Sequence, residues 1–255
     1  MDVFATLEDA GLAPDYVITS NGARIHDKHR QLVSRRDLDV NFLRAAIAEA
    51  SGLAGQGPAY VDNAEARSQE DVKRYGTAFH KDRKFTINMY REDAWLLDIS
   101  VEIFYQVAHP SFRYKVLGVE GVQRLTDAEL EGTHELFFVG PPDNLLTLKT
   151  QLQPLFDGHV HCTFSTPFLL VCVSSDIHKG KALVEVCGLL GIDTKDVVAF
   201  GDGMNDEPML RIAGHPFIMR NASNALKEAL PEATVIGTNM EGGVVKKLEE
   251  LLPLP

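Results

Sequence analysis

Residues 197–208 constrain the fold more than any other stretch. An apolar run, Val197-Val198-Ala199-Phe200, enters a turn with two glycines, Gly201-Asp202-Gly203, and leaves as Met204-Asn205-Asp206-Glu207-Pro208. The β-branched and aromatic residues ahead of the turn predict a strand, and Pro208 suits the first turn of a helix. The same alternation surrounds it. Leu169–Val173 reads as a strand and Gly180–Leu190 as a helix closed by Gly191, with the central strand at Asp196–Phe200 and a helix at Asn205–Ile212. Phe217–Met219, Ser223–Ala229, Thr234–Ile236 and Val244–Leu252 continue the series as strand, helix, strand and helix. Strands separated by one helix each imply a parallel sheet with crossover helices. Asp202 then lies just past the C-terminal end of a parallel strand, where open α/β sheets place ligands. Asn205 and Asp206, in the first helical turn, share that rim. Oxygen donors gathered at one strand end suit Mg²⁺, although a lone GDG reads equally well as a tight turn with Asp206 as a helix-dipole acid.

The remainder of the chain has a different texture. An amphipathic helix carries Val3, Phe4 and Leu7 on one face and stops near Gly11; Asp15–Thr19 is a short strand ended by Ser20-Asn21-Gly22. Arg24–Val33 reads as a hairpin around Asp27-Lys28, and a helix follows at Asn41–Ala50. Residues 54–84 are polar with weak periodicity and read as a long loop or insertion. Strands are expected at Phe85–Tyr90, Glu135–Val139 and His159–Phe164, and a helix at Asp143–Phe156 with Leu145, Leu148, Leu152 and Leu155 at helical spacing. Strands and helices mixed in this way make an α+β region, in which Trp95 and the Phe85–Tyr90 aromatics read as core.

Bulk properties narrow the function classes. A net charge of −11 over 255 residues argues against a nucleic-acid partner. No apolar run approaches the ~18 residues of a membrane span, and the N-terminus has no signal-peptide pattern, so a cytoplasmic protein without a membrane partner is expected. Cys162, Cys172 and Cys187 lack CxxC spacing and read as buried, reduced thiols. His159 and His161 share a strand face, but no third zinc ligand accompanies them. No G-x-S-x-G elbow, G-x-G-x-x-G fingerprint or Walker loop occurs.

Four strings, in order, resemble the haloacid dehalogenase superfamily of phosphatases, Cof type. Gly201–Asp206 (GDGMND) resembles its fourth motif. His178-Lys179-Gly180-Lys181-Ala182-Leu183 resembles its third, Ile18–Ala23 (ITSNGA) its pre-cap turn, and Met219-Arg220-Asn221-Ala222 its "MGNA" turn. GDGMND also resembles the hinge motif of P-type ion pumps, which the lack of membrane spans removes. The resemblance implies a Rossmann-like core at 1–24 and 168–255, with an α+β cap inserted at 25–167. It implies a Mg²⁺-dependent phosphomonoester hydrolase working through an aspartyl-phosphate. The partner would be a small phosphorylated metabolite, such as a sugar phosphate or pyridoxal phosphate, and the protein a monomer or homodimer. By the same resemblance Lys179 is catalytic and balances the phosphoryl charge. Asp202 and Asp206 serve the metal, and Asn21, Gly22, Asn205, Asn221 and Arg220 contact substrate. Lys179 has independent support, since a cation at a helix N-terminus is disfavoured by the macrodipole and suggests an anion nearby. From position alone a solvated lysine is an equal reading, and Lys181 reads that way.

The family's first motif, D-x-D-x-T, occurs nowhere in the 255 residues; Asp37-Leu38-Asp39 comes nearest but follows no strand. The first Asp of that motif is the nucleophile and the second the general acid/base. The family's second motif is absent too. The expectation is therefore a parallel sheet incomplete at its centre, in a fragment or an inactive chain. The competing reading is a non-catalytic, phosphate-ligand-binding regulatory protein. Leu170-Val171-Cys172, Asp176-Ile177-His178, Pro216 and Arg220 also depart from the family pattern.

Overall fold

The structure, a computed structural model, describes residues 3–55, 83–92, 94–98, 113–156 and 158–252. The expected loop at 54–84 lies mostly outside them. The described residues form two compact units, one of residues 1–14 and 36–176, the other of 15–35 and 177–255.

The first unit is built on a six-stranded sheet. Its strands are β4 (Thr86–Arg91), β5 (Ala94–Leu97), β6 (Arg113–Val116), β7 (Thr133–Val139), β8 (Val160–Thr166) and β9 (Leu169–Ser174), in the order β6-β5-β4-β7-β9-β8. The two-residue period of a strand sends Ile87, Met89, Leu136, Phe138, Leu170 and Cys172 to one face, where all are buried. The helix-spaced residues Leu43, Ala46, Ile47 and Ala50 of α2 (Val40–Leu53) and Leu145, Leu148 and Leu152 of α5 (Pro142–Leu152) join them in one core. Contrary to the expectation, Asp37-Leu38-Asp39 does follow a strand, β3 (Leu32–Arg35), but Asp39, the nearest approach to a nucleophile motif, is the N-cap of α2 and accepts the Phe42 amide at 3.0 Å. α1 (Val3–Asp9) also belongs to this unit, as do two short helices, α3 (Gly118–Gln123) and α4 (Asp127–Leu130). Neither short helix shows in the sequence pattern.

Two expectations are corrected here. Leu169–Ser174 is not the first strand of the parallel sheet but pairs antiparallel with β7 and β8. The cause is the short Pro167-Phe168 turn after β8, since so tight a connection joins only antiparallel strands. That register sets Cys162 directly opposite Cys172 with 4.2 Å between Cα atoms, and the two are a disulfide rather than free thiols. Cys187 is a buried free thiol, as expected, and burial raises its pKa.

The second unit contains two small sheets. β1 (Tyr16–Thr19), β2 (Arg24–Asp27) and β3 (Leu32–Arg35) form an antiparallel meander. β10 (Val198–Gly201), β11 (His215–Met219) and β12 (Thr234–Ile236) form the expected parallel sheet. α7 (Glu207–Ile212) and α8 (Asn224–Ala229) are its crossovers, and α9 (Gly243–Leu251) follows β12. Leu210, Ile218, Leu226 and Ile236 fill its core. The remaining helix, α6 (Lys179–Leu190), ends at Gly191, whose φ of 69° is the left-handed cap glycine tolerates best.

Candidate active site

Asp202 leaves β10 at its C-terminal end, as the βα reading required, and its side chain is exposed. The loop behind it is organised by Asp206. This carboxylate is buried, and its Oδ2 accepts the amides of Asp202 at 2.9 Å and Gly203 at 3.0 Å. Its Oδ1 accepts the Lys179 ammonium at 2.5 Å. Burial alone would raise the Asp206 pKa. The Lys179 hydrogen bond, the two backbone amides and the lysine charge outweigh it and hold the carboxyl below the usual carboxylate range. Gly201 is required at this point, because a Cβ there would lie 2.6 Å from the Cβ of Asp206.

Lys179 is the first residue of α6, preceded by His178, whose Nδ1 caps the helix by accepting the Lys181 amide at 3.1 Å. The anion near Lys179 inferred from the macrodipole is therefore at least in part Asp206, and Lys179 stays about one third exposed (32%). Gly180 lets α6 close on α7, since a Cβ there would stand 2.5 Å from the Pro208 carbonyl oxygen. The turn at Ser20–Gly22 completes the group. Asn21 has φ of 56° and Gly22 108°, both left-handed, and a Cβ on Gly22 would meet the His178 carbonyl oxygen at 3.0 Å. Asn21 Oδ1 accepts from Asn205 Nδ2 at 3.0 Å. Thus Asn21, Gly22, Lys179, Asp202, Asn205 and Asp206, from three separate stretches of sequence, lie in one cluster.

Arg220 and Asn221 lie on the turn after β11. The Ser223 amide donates to the Asp202 carbonyl at 3.1 Å and links this turn to the Asp202 loop. Asn221 Oδ1 accepts the Asn239 amide at 3.3 Å, and Arg220 faces Glu241 at 3.4 Å. Sequence reasoning missed His178 as a cap and Glu241 as a partner of Arg220. The T-x-x-E spacing of Thr238 and Glu241, a capping-box pattern, was the signal available for the latter.

The donors present fit Mg²⁺ sparingly. Among the described residues no three His, Cys, Asp or Glu side chains gather as a metal cluster. Mg²⁺ commonly takes one or two carboxylates and keeps several waters. Asp202 offers one exposed carboxylate, while both Asp206 oxygens are engaged.

With this geometry in view, the comparisons decide the class. The chain matches the haloacid dehalogenase-like hydrolase family over residues 2–248 and belongs to it. A putative phosphatase of Buchnera aphidicola (Acyrthosiphon pisum) is 29% identical over 238 residues, covering 92% of this chain and 75% of the relative. The HMP-PP phosphatase of Escherichia coli O157:H7 is 28% identical over 241 residues, covering 94% and 75%. A haloacid dehalogenase-like hydrolase from Bacteroides thetaiotaomicron superposes with a TM-score of 0.72 at 18% identity, over 98% of this chain and 81% of that one. A subclass IIB sugar phosphatase gives 0.67 at 16% identity, over 98% and 80%. The fold is the Rossmann-like core of this superfamily with added helices and strands consistent with a cap. By homology the activity class is phosphatase. No helix of the described residues is long and apolar enough to cross a membrane.

Proposed function

We propose that the cluster around Lys179 and Asp202 is the phosphate- and metal-holding side of a Cof-type phosphomonoester hydrolase site. The observation that carries this reading is the buried Asp206 carboxylate. It fixes the Lys179 ammonium and the Asp202 loop together at the end of a parallel strand.

Asp202 would hold Mg²⁺ directly, and Asp206 would serve it by fixing the loop. Bound there, the ion would neutralise phosphoryl oxygens. Lys179 keeps enough exposure to reach a phosphoryl oxygen while its other side rests on Asp206. Asn205, steadied by Asn21, presents an amide to the same rim, and Asn21, Gly22, Asn221 and Arg220 remain the substrate-side candidates. The unit of residues 1–14 and 36–176 would take the cap's part in choosing a small phosphorylated metabolite. The relatives named HMP-PP phosphatases make HMP-PP one compound to test.

An aspartyl-phosphate needs a nucleophilic carboxylate, and D-x-D-x-T is missing from these residues. The 255-residue chain is therefore expected to bind phosphate ligands with Mg²⁺ but not to turn them over. The test is hydrolysis of an aryl phosphate with Mg²⁺. Turnover that disappears in Asp202→Ala overturns the missing-nucleophile reading. Absence of turnover together with absence of Lys179-dependent phosphate binding overturns the site itself. The alternative, a non-catalytic phosphate-binding regulator, predicts the same silence in the assay. It adds no recovery of turnover when a D-x-D-x-T strand is fused ahead of residue 1.

A further inference from the structure

The turn after β11 leads into a second polar concavity. A cleft of about 410 Å³ runs between β12 and α9, lined by the charged residues Arg220, Glu241, Lys246, Lys247 and Glu250 and by residues 234–237 and Gly243. It begins at Arg220, three residues from Ser223, whose amide holds the Asp202 loop. Its charges are unequally committed. Lys247 is bound to Glu250 and lies 5.4 Å from the centre of the Phe217 ring. Glu241 is fixed by the Thr238 amide at 2.8 Å, and these Thr238 bonds, then Arg220, hold its pKa down. Arg220 meets both Glu241 oxygens only at 3.4 Å. Charge-assisted N–H···O⁻ bonds run at about 2.7–2.9 Å, so its guanidinium donors are not saturated. Lys246 is exposed and makes no ion pair within 4 Å among the described residues, although its charge also acts on Glu241. The cleft therefore carries three cations against two carboxylates, in a chain whose net charge is −11. The glycine of the family-like turn is replaced here by a planar, five-donor cation suited to a tetrahedral oxyanion.

We infer that Arg220, with Lys246 beside it, forms a subsite for a second phosphate group, so that the preferred ligands are bisphosphorylated metabolites. This rests on the proposed function, in which Lys179 and Asp202 take the first phosphate. Glu241 holds Arg220 in place when the subsite is empty and is displaced by a better acceptor.

The test is calorimetric titration of the 255-residue chain, in Mg²⁺ buffer, with fructose 1,6-bisphosphate and with fructose 6-phosphate. The bisphosphate is expected to bind at least about 10-fold more tightly, the scale of one charge-assisted contact of about 1.4 kcal/mol. Arg220→Gly should abolish that preference by weakening the bisphosphate more than the monophosphate, Arg220→Lys should keep part of it, and circular dichroism checks that both variants fold. Equal binding of the two ligands by wild type, or a preference that persists in Arg220→Gly, overturns the subsite. Lys179→Ala should weaken both ligands. If Lys179→Ala changes neither while Arg220→Gly weakens the bisphosphate, the proposed function fails and the anion site stands apart from it. If neither ligand binds wild type, both fall.

Discussion

Among the described residues, each unit contains one buried aspartate paired with a cation, and the two pairs are built differently. In the first unit, Arg83 and Asp98 are both fully buried (0% exposed) and bonded to each other. Arg83 also donates to the carbonyls of Phe85 at 2.8 Å and Gly55 at 3.2 Å, and Asp98 accepts the Ile87 amide at 3.0 Å. Every polar atom of the pair faces protein, so it ties chain segments together and offers nothing to a ligand. In the second unit, Asp206 is as well satisfied, but its cation is not enclosed: Lys179 is 32% exposed. Their acidities diverge accordingly. Burial pushes the Asp98 pKa up to about 6 against the pull of Arg83, whereas hydrogen bonds overcome burial at Asp206 and push it down. A buried ion pair is thus no mark of a site; the mark is a pair whose cation still reaches solvent.

The largest expected effect is at the enclosed pair. Asp98→Ala strands a buried guanidinium and should cost about 3–5 kcal/mol in urea unfolding. Asp206→Ala should cost less, about 1–3 kcal/mol, because Lys179 can rehydrate and the main loss is two backbone partners. A loss at Asp206 equal to that at Asp98 would erase the distinction between the pairs. Gly201→Ala, which drives a Cβ to 2.6 Å from Asp206, should cost about 1–3 kcal/mol by overpacking. It should also weaken phosphate binding, which a purely structural glycine would leave alone. A milder test is pH. A carboxyl whose folded pKa is raised stabilises most below its unfolded pKa and loses that contribution as pH climbs to about 6; a depressed one behaves oppositely. Wild type should therefore lose stability relative to Asp98→Asn as pH rises from about 4 to about 6. Relative to Asp206→Asn, it should lose stability as pH falls below the normal carboxylate range. The smallest effect is Asp39→Ala, about 1 kcal/mol from a lost N-cap with no change in phosphate binding.

Sequence reading succeeded where periodicity and turn chemistry are local. The strand–GDGMND–helix string, the Gly191 cap and Leu145, Leu148 and Leu152 of α5 behave as their spacing implied, whereas Leu155 falls in a 3-10 turn beyond the end of α5. It failed where partners decide. Leu169–Ser174 is an apolar run that suits a parallel or an antiparallel neighbour alike, and only the short turn at Pro167 distinguishes them. The disulfide followed from that register and not from Cys spacing. Within the site, the residue types were legible but their division of labour was not. Asp202 and Asp206 look equivalent in the string, and only burial separates the exposed carboxylate from the one that anchors Lys179.

The contact between Gly180 and the Pro208 carbonyl carries a consequence for engineering. With no room for even a methyl group, the first turn of α7 and the lysine-bearing helix share a single bearing surface. Residues 178–182 and 199–208 are in effect one interchangeable part. Swapping either segment alone from another family member would import a mismatched surface, so a working chimera needs both transplanted together.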